Sequence, residues 1–387
     1  MRFARRTETI RSFKAMDILA AAVRLQEQGR DIIRMEVGEP AFPPPQPVVE
    51  AAQKALLSGR NGYTPACGIM PLREAIAGLY QRRYGVVIDP QRVIVTTGSS
   101  AALGMVCELL LNAGDGLLLS DPGYPCNANF VRRLEAEPQL VPVEAANNFQ
   151  LTAELVERYW QPNTRGVMVA SPSNPTGEII TRDNLIELHQ FTSQRDAALV
   201  VDEIYHGLTY GDLDVPSVLE LADDAYVINS FSKYFGMTGW RLGWAVVPED
   251  AVERINKLAQ NFYISCPSLS QHAALAALTP ETEAILVERR EEFHKRRDFL
   301  VAGLRNIGFR IDHLPAGAFY VYANVSDLTD DGEALCWKML NEQGVAFTPG
   351  TDFGEHLANQ YVRFTYTETM PRLEEALERL AKGVQSL

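Results

Sequence analysis

Leu199-Val200-Val201-Asp202-Glu203-Ile204-Tyr205 is a run of branched apolar residues that breaks off on two carboxylates. Successive apolar side chains leave no polar face, so the segment reads as a strand covered on both sides, the pattern of a parallel sheet. Six further runs share this texture: Val93-Ile94-Val95-Thr96, Leu117-Leu118-Leu119, Leu140-Val141-Pro142-Val143, Val167-Met168-Val169-Ala170, Tyr226-Val227-Ile228 and Trp244-Ala245-Val246-Val247. Helical patterns alternate with them from about residue 93 onward. Seven such runs predict an α/β fold with a mostly parallel seven-stranded sheet covered by helices. Ligands in such sheets collect at the carboxyl ends of the strands, so the polar residues that end these runs become candidates for chemistry.

After about Pro280 the pattern changes to a long charged helix, Glu281 to Ile307, and then to short strands at Ala318-Phe319-Tyr320-Val321 and Tyr361-Val362-Arg363-Phe364. This predicts a smaller α+β domain. The segment before the proline-rich turn at Pro40 to Pro47 is too short to fold alone and is expected to pack on that domain or on a partner. The expected division is a large domain over residues 46–285 and a small one over residues 1–45 and 286–387.

With 387 residues, 46% of them hydrophobic, the chain can bury a large core. A formal charge of -13 argues against nucleic acid and anionic membranes, which need clustered cations. The five cysteines are scattered, with no Cys-x-x-Cys spacing, and fit small apolar packing roles in a reducing compartment. The start, Met1 to Met16, is basic but carries Glu8, and the apolar stretch beyond it is interrupted by Asp17 and Arg24, so it has no signal-peptide core. No run approaches the roughly 20 apolar residues of a membrane span. The expected location is the cytoplasm. The six histidines show no ligand spacing and no metal is expected; Trp240 and Trp244 read as core.

The chemistry-bearing residues cluster at predicted strand ends. Ser230-Phe231-Ser232-Lys233, with Arg241 a short way downstream, sets a lysine beside phosphate-type ligands, and a primary amine condenses with an aldehyde. Thr97-Gly98-Ser99-Ser100-Ala101 follows one strand and opens a helix, where small residues and free amides suit a phosphate; an ordinary helix cap is the alternative. Asp202 ends an apolar strand and needs a cationic or donor partner, which a pyridinium N–H or the cap of the next segment could each supply. Tyr205, three residues on, could donate its phenol to a ring hydroxyl. Asn174, in Ser171-Pro172-Ser173-Asn174-Pro175-Thr176-Gly177, presents an amide or forms an Asx turn, and Tyr124, in Asp121-Pro122-Gly123-Tyr124-Pro125, offers a flat ring for stacking or for packing. Arg363 lies between apolar neighbours in a strand pattern, so its guanidinium should seek a carboxylate from a ligand or from the protein.

Taken in order, Gly38-Glu39-Pro40, Tyr63-Thr64-Pro65, Gly98-Ser99-Ser100, Asn174-Pro175-Thr176-Gly177, Asp202-Glu203-Ile204-Tyr205, Ser230-Phe231-Ser232-Lys233, Gly239-Trp240-Arg241 and Arg363 resemble the class I/II aminotransferases over nearly the whole chain. The resemblance implies the fold-type I architecture of pyridoxal 5'-phosphate enzymes, with Lys233 joined to the cofactor and shuttling the proton of the substrate α-carbon. It implies Asp202 on the pyridine nitrogen, Asn174 and Tyr205 on the ring oxygen, and Tyr124 on the ring face. Ser99, Ser100, Ala101, Ser230, Ser232 and Arg241 would hold the phosphate, and Tyr63 would reach the phosphate of a neighbouring subunit in a homodimer with shared active sites. Arg363 would fork the substrate carboxylate, assisted by Gly38 and Asn174.

The implied activity is ping-pong transamination between an L-amino acid and a 2-oxo acid. Relatives dedicated to dicarboxylic substrates can carry a lysine within the segment matching Gly98-Ser99-Ser100-Ala101; this chain has none there, which leans toward neutral, aliphatic or aromatic donors with 2-oxoglutarate as acceptor. A C–S β-lyase on the same scaffold is the alternative within enzymes. A non-catalytic effector domain is the alternative outside them, disfavoured because the N-terminal segment is too short for a DNA-binding unit.

Overall fold

The computed structural model describes residues 3–387; Met1 and Arg2, part of the basic start, lie outside the described residues. Twelve strands are described: β1 (Ile33–Arg34), β2 (Val93–Thr96), β3 (Gly116–Asp121), β4 (Glu137–Pro142), β5 (Thr164–Ala170), β6 (Ala198–Asp202), β7 (Tyr226–Ser230), β8 (Gly243–Val246), β9 (Tyr320–Asn324), β10 (Val345–Ala346), β11 (Thr348–Pro349) and β12 (Tyr361–Thr365). The expected seven runs form one sheet in the order β2-β8-β7-β6-β5-β3-β4, in which β8 alone runs against its neighbours.

The strands are apolar throughout because both faces are buried. Side chains alternate across a strand, and the two sets enter two different cores. Val93, Val95, Leu118, Val167, Val169, Leu199, Val201 and Val227 pack on one side. Their neighbours Ile94, Leu117, Leu119, Met168, Val200 and Ile228 pack on the other. The edge strand β4 departs from the expected Leu140–Val143 run by starting at Glu137 and including Pro138 and Pro142. An edge tolerates proline because one side of its backbone has no ladder to complete.

The long helix Pro280–Ile307 begins on Thr279, whose side chain accepts from the Thr282 amide, and stops at Gly308 with φ 109°. Beyond it, β11-β12-β9 form an antiparallel sheet. The expected strand at Ala318 begins two residues later, at Tyr320, because Ala318 takes φ 59° and gives its amide to the Leu208 carbonyl. The N-terminal segment joins this region through β1, which pairs in parallel with β10 by Ile33 opposite Val345. A second tie runs from the large sheet: the Asp121 carboxylate, at the end of β3, accepts the amides of Glu355 at 3.0 Å and His356 at 3.1 Å.

Among the described residues no helix is long and apolar enough to cross a membrane. Four of the five cysteines are buried, Cys126 is half-buried, and all are unpaired. Trp244 is fully buried against Phe231 at a ring separation of 4.9 Å, so it braces the segment that carries Lys233. Trp244→Ala is expected to cost about 3–5 kcal/mol of stability, read from urea unfolding of the cofactor-free protein.

Candidate active site

The carboxyl ends of β5, β6 and β7 and the start of the helix Ser99–Leu110 converge on one cavity of about 180 Å³. Of the residues expected at a site, Gly38, Ser99, Ser100, Tyr124, Asn174, Asp202, Tyr205, Ser232, Lys233, Arg241 and Arg363 all line it. They span positions 38 to 363, so the fold, not local sequence, brings them together.

Three expected residues lie elsewhere. Ser230 is fully buried beneath the floor: its hydroxyl lies 3.1 Å from the Leu242 carbonyl and accepts the Ser232 amide at 3.0 Å. It therefore shapes the turn that presents Ser232. Ala101 points into the core under the helix, its amide donating to the Gly98 carbonyl. Tyr63 is 86% exposed and outside the cavity.

Lys233 is half-buried in the cavity wall, and its Nζ donates to the Gly38 carbonyl. Burial lowers its pKa to about 8, and the Arg363 and Arg241 charges act in the same direction. Asp202 is 5% exposed; one carboxylate oxygen accepts the Ile204 amide at 3.1 Å, so local capping accounts for only part of its valence. Burial raises its pKa to about 7, opposed by that hydrogen bond and by the Lys233 charge. The neighbouring Glu203 is fully buried but satisfied, taking Ser217 Oγ and the Val218 amide. Asp202 is the carboxylate held for something else.

Arg363 is 2% exposed in the middle of β12. It donates to Asn174 Oδ1 at 2.9 Å and to the Glu36 carbonyl at 2.5 Å, while its Nε is buried with no partner. Its guanidinium sits between the Tyr320 ring at 4.4 Å and the Phe353 ring at 4.7 Å. No protein carboxylate pairs with it among the described residues, so a structural ion pair does not explain its burial. A ligand carboxylate would complete it.

At the other end, Gly98 takes φ 86°, and a Cβ there would fall 2.7 Å from the Arg241 guanidinium. The missing side chain lets that guanidinium lie against the helix start, where the leading amides have no intrahelical acceptors. Ser99, Ser100 and Ser232 add hydroxyls. This is a cradle for a phosphate.

The donor set therefore fits pyridoxal phosphate: an amine of lowered pKa, a buried carboxylate with spare valence, an aromatic wall in Tyr124, an anion cradle, and a buried guanidinium for a substrate. Among the described residues no group of three or more His, Cys, Asp or Glu side chains could hold a metal ion. The sequence reading missed Tyr320, whose hydroxyl lies 2.6 Å from that of Tyr205, and the apolar lining supplied by Phe13, Ala15, Met16 and Leu103. Nothing local marks these residues as site residues: Ala15 and Leu103 lie buried in helices, while Phe13 is half-buried and Met16 exposed at the start of one.

Fold and site together define a fold-type I pyridoxal phosphate enzyme, and solved structures agree: a crystal structure of an aminotransferase from Mycobacterium tuberculosis superposes with a TM-score of 0.96 at 39% identity over 100% of both chains. The chain belongs to the aminotransferases of class I and II, whose family model matches residues 30–380. Among curated relatives, the valine–pyruvate aminotransferase of Mycobacterium tuberculosis is 40% identical over 97% of this chain and 96% of its own length. The aspartate/prephenate aminotransferase of Thermus thermophilus is 34% identical over 98% of each.

Because the Arg363 charge helps hold the Lys233 pKa down, Arg363→Leu in the cofactor-free protein should move the pH midpoint of Lys233 modification by an amine reagent upward from about 8. The sign follows from removing a cation near a cation. Peptide mapping of the labelled lysine reads it, and an unchanged or lower midpoint contradicts the electrostatic account.

Proposed function

We propose that this aminotransferase takes an L-amino acid with a neutral aliphatic or aromatic side chain and passes its amino group to a 2-oxo acid such as 2-oxoglutarate, in alternating half-reactions. The observation that carries this reading is the lining itself. Phe13, Ala15, Met16, Val37 and Leu103 give apolar surface, while the three cations present, Lys233, Arg241 and Arg363, each have another task. None of the three is left for a distal carboxylate on the donor, so that of 2-oxoglutarate would need a cation from outside this lining, as from a second copy. The valine–pyruvate relative supports the same preference, and the aspartate/prephenate relative supplies the contrary case that substrate ranking decides.

Bound pyridoxal phosphate would supply the aldehyde that captures an amino group and the ring that accepts the electron pair left by a departing α-proton. The chain's own groups do the rest. Lys233 Nζ would take the proton from the substrate α-carbon and return it to the carbon on the far side of the nitrogen; its lowered pKa makes the neutral amine accessible near pH 8. Asp202, opposite a ring nitrogen, would hold that nitrogen protonated and recover the ionisation that burial disfavours. Tyr205 and Asn174 would donate to the ring oxygen and Tyr124 would cover the ring. The Asn174 carbonyl already accepts from Arg363, which leaves its NH2 as donor.

Ser99, Ser100, Ser232 and Arg241 would bind the phosphate, with Ala101 and Ser230 supporting them from behind. Arg363 would take the substrate carboxylate as a fork beside Gly38 and Asn174. The exposed Tyr63 fits a contribution to the site of a second copy in a homodimer. The reading divides the chain into a large unit, residues 46–285, and a small unit, residues 1–45 and 286–387, with Lys233 on one and Arg363 on the other. Unpaired cysteines fit a reducing cytoplasm.

Lys233→Ala should lower turnover by at least about 10³-fold, since it removes the proton carrier. Mixing the yellow wild-type enzyme with single amino acids and following the loss of visible absorbance ranks the donors. Valine, leucine or phenylalanine ahead of aspartate supports the proposal, with glutamate expected to react as the product of the 2-oxoglutarate half-reaction; aspartate in first place overturns the substrate class. Pyruvate and ammonia released from a cysteine-type substrate without an oxo acid would replace transfer by elimination.

A further inference from the structure

Tyr320 opens β9 and is 1% exposed, yet no part of the activity argued so far uses it. Its hydroxyl is 2.6 Å from the Tyr205 hydroxyl, and the two rings meet edge to face with centroids 5.5 Å apart at 82°. Its ring face floors the Arg363 guanidinium at 4.4 Å. Its hydroxyl also fills the space where a side chain at position 38 would go: a Cβ on Gly38 would collide with it. Gly38 in turn supplies the carbonyl that holds Lys233 Nζ. One side chain thus touches the phenol aimed at the cofactor, the guanidinium aimed at the substrate, and the backbone that holds the lysine.

We propose that Tyr320 is a positioning residue that couples the two halves of the site, its hydroxyl orienting the Tyr205 hydroxyl and its ring supporting Arg363. This rests on the reading of the cavity as a pyridoxal phosphate site. A tyrosine hydroxyl has one proton and accepts as well as donates. Burial raises the pKa of both phenols, so both keep their protons at neutral pH. If Tyr205 gives its proton to the cofactor ring oxygen, the close Tyr320 contact requires Tyr320 to be the donor to Tyr205. The pair then forms a chain of two hydrogen bonds directed at the ring oxygen, and donation into Tyr205 strengthens Tyr205 as a donor. A guanidinium over a desolvated ring gains a further cation–π attraction that fixes the plane of its fork.

Three variants separate these roles. Tyr320→Phe keeps the ring and removes the hydroxyl. Tyr205 then pulls less on the ring oxygen, which holds the proton of the lysine-bound cofactor more tightly, and the pH midpoint of the visible absorbance change rises by a few tenths to about one pH unit. KM for the amino acid stays within about twofold of wild type, because the floor remains. Tyr320→Leu removes the floor as well, and KM rises about 5- to 30-fold. Gly38→Ala pushes the Tyr320 hydroxyl aside and reproduces the Tyr320→Phe midpoint shift.

Visible pH titration, cofactor affinity by equilibrium dialysis, and the split between KM and kcat are the readouts. A Tyr320→Phe protein that titrates like wild type overturns the hydroxyl role, and a Tyr320→Leu protein with wild-type KM overturns the floor. Failure of the underlying reading looks different. It would show as a wild-type protein that binds no pyridoxal phosphate, or a Lys233→Ala protein that keeps the wild-type spectrum and turnover.

Discussion

Three ionisable side chains, Lys233, Asp202 and Arg363, are held out of water around one cavity without being paired to one another, and the rest of the site follows from that constraint. Burying a charge without a partner costs several kcal/mol unless its ionisation changes or a ligand completes it. Lys233 and Asp202 respond by shifting toward neutrality, to about 8 and about 7. Arg363 cannot, since a guanidinium keeps its proton. It is instead carried by one amide oxygen, one backbone carbonyl and two aromatic faces, none of which neutralises it. A cofactor with a ring cation for Asp202 and an aldehyde for Lys233, together with a substrate carboxylate for Arg363, would complete all three. Binding energy and catalytic geometry come from the same groups.

Much of this was legible because the sheet is. A strand buried on both faces shows as an unbroken apolar run, and its end shows as the first polar residue after it. Asp202 was found that way, Asn174 and Tyr124 in the turns just beyond such ends, and Lys233 in a serine-flanked segment after another; each lines the cavity. Arg363 was visible for the opposite reason: a charge inside an apolar strand is conspicuous. Which of two adjacent carboxylates faces the cavity was less local. Glu203 is satisfied by Ser217 and Val218, residues a loop away, so only the folded chain distinguishes it from Asp202.

Tyr320 was invisible because an aromatic residue in an apolar strand has the pattern of a core residue, and its hydroxyl matters only through Tyr205, 115 positions earlier. Phe13 and Met16 were missed for another reason. They sit on a short N-terminal stretch whose packing partner cannot be read from its own composition. Ser230 is a less direct case: its neighbourhood to Lys233 suggested a ligand contact, and the structure shows it fully buried, its hydroxyl bonded to Leu242 and Ser232.

The stretch from Ile33 to Gly38 links these observations. Ile33 and Met35 lie against β10, the Met35 carbonyl accepts the Thr365 amide at 3.0 Å, and the Glu36 carbonyl accepts from both Thr348 Oγ1 at 2.8 Å and Arg363. Two residues on, the Gly38 carbonyl holds Lys233. One extended strip of backbone therefore contacts both the amine on the large sheet and the guanidinium on the small one, using carbonyls rather than side chains. Carbonyls suit the task because they stabilise cations without a full charge of their own, while the Glu36 carboxylate on the same strip is bonded to Arg34. If this strip lifted away, Lys233 and Arg363 would each lose an acceptor in the same event, so its docking on β10 and the competence of the site are one equilibrium.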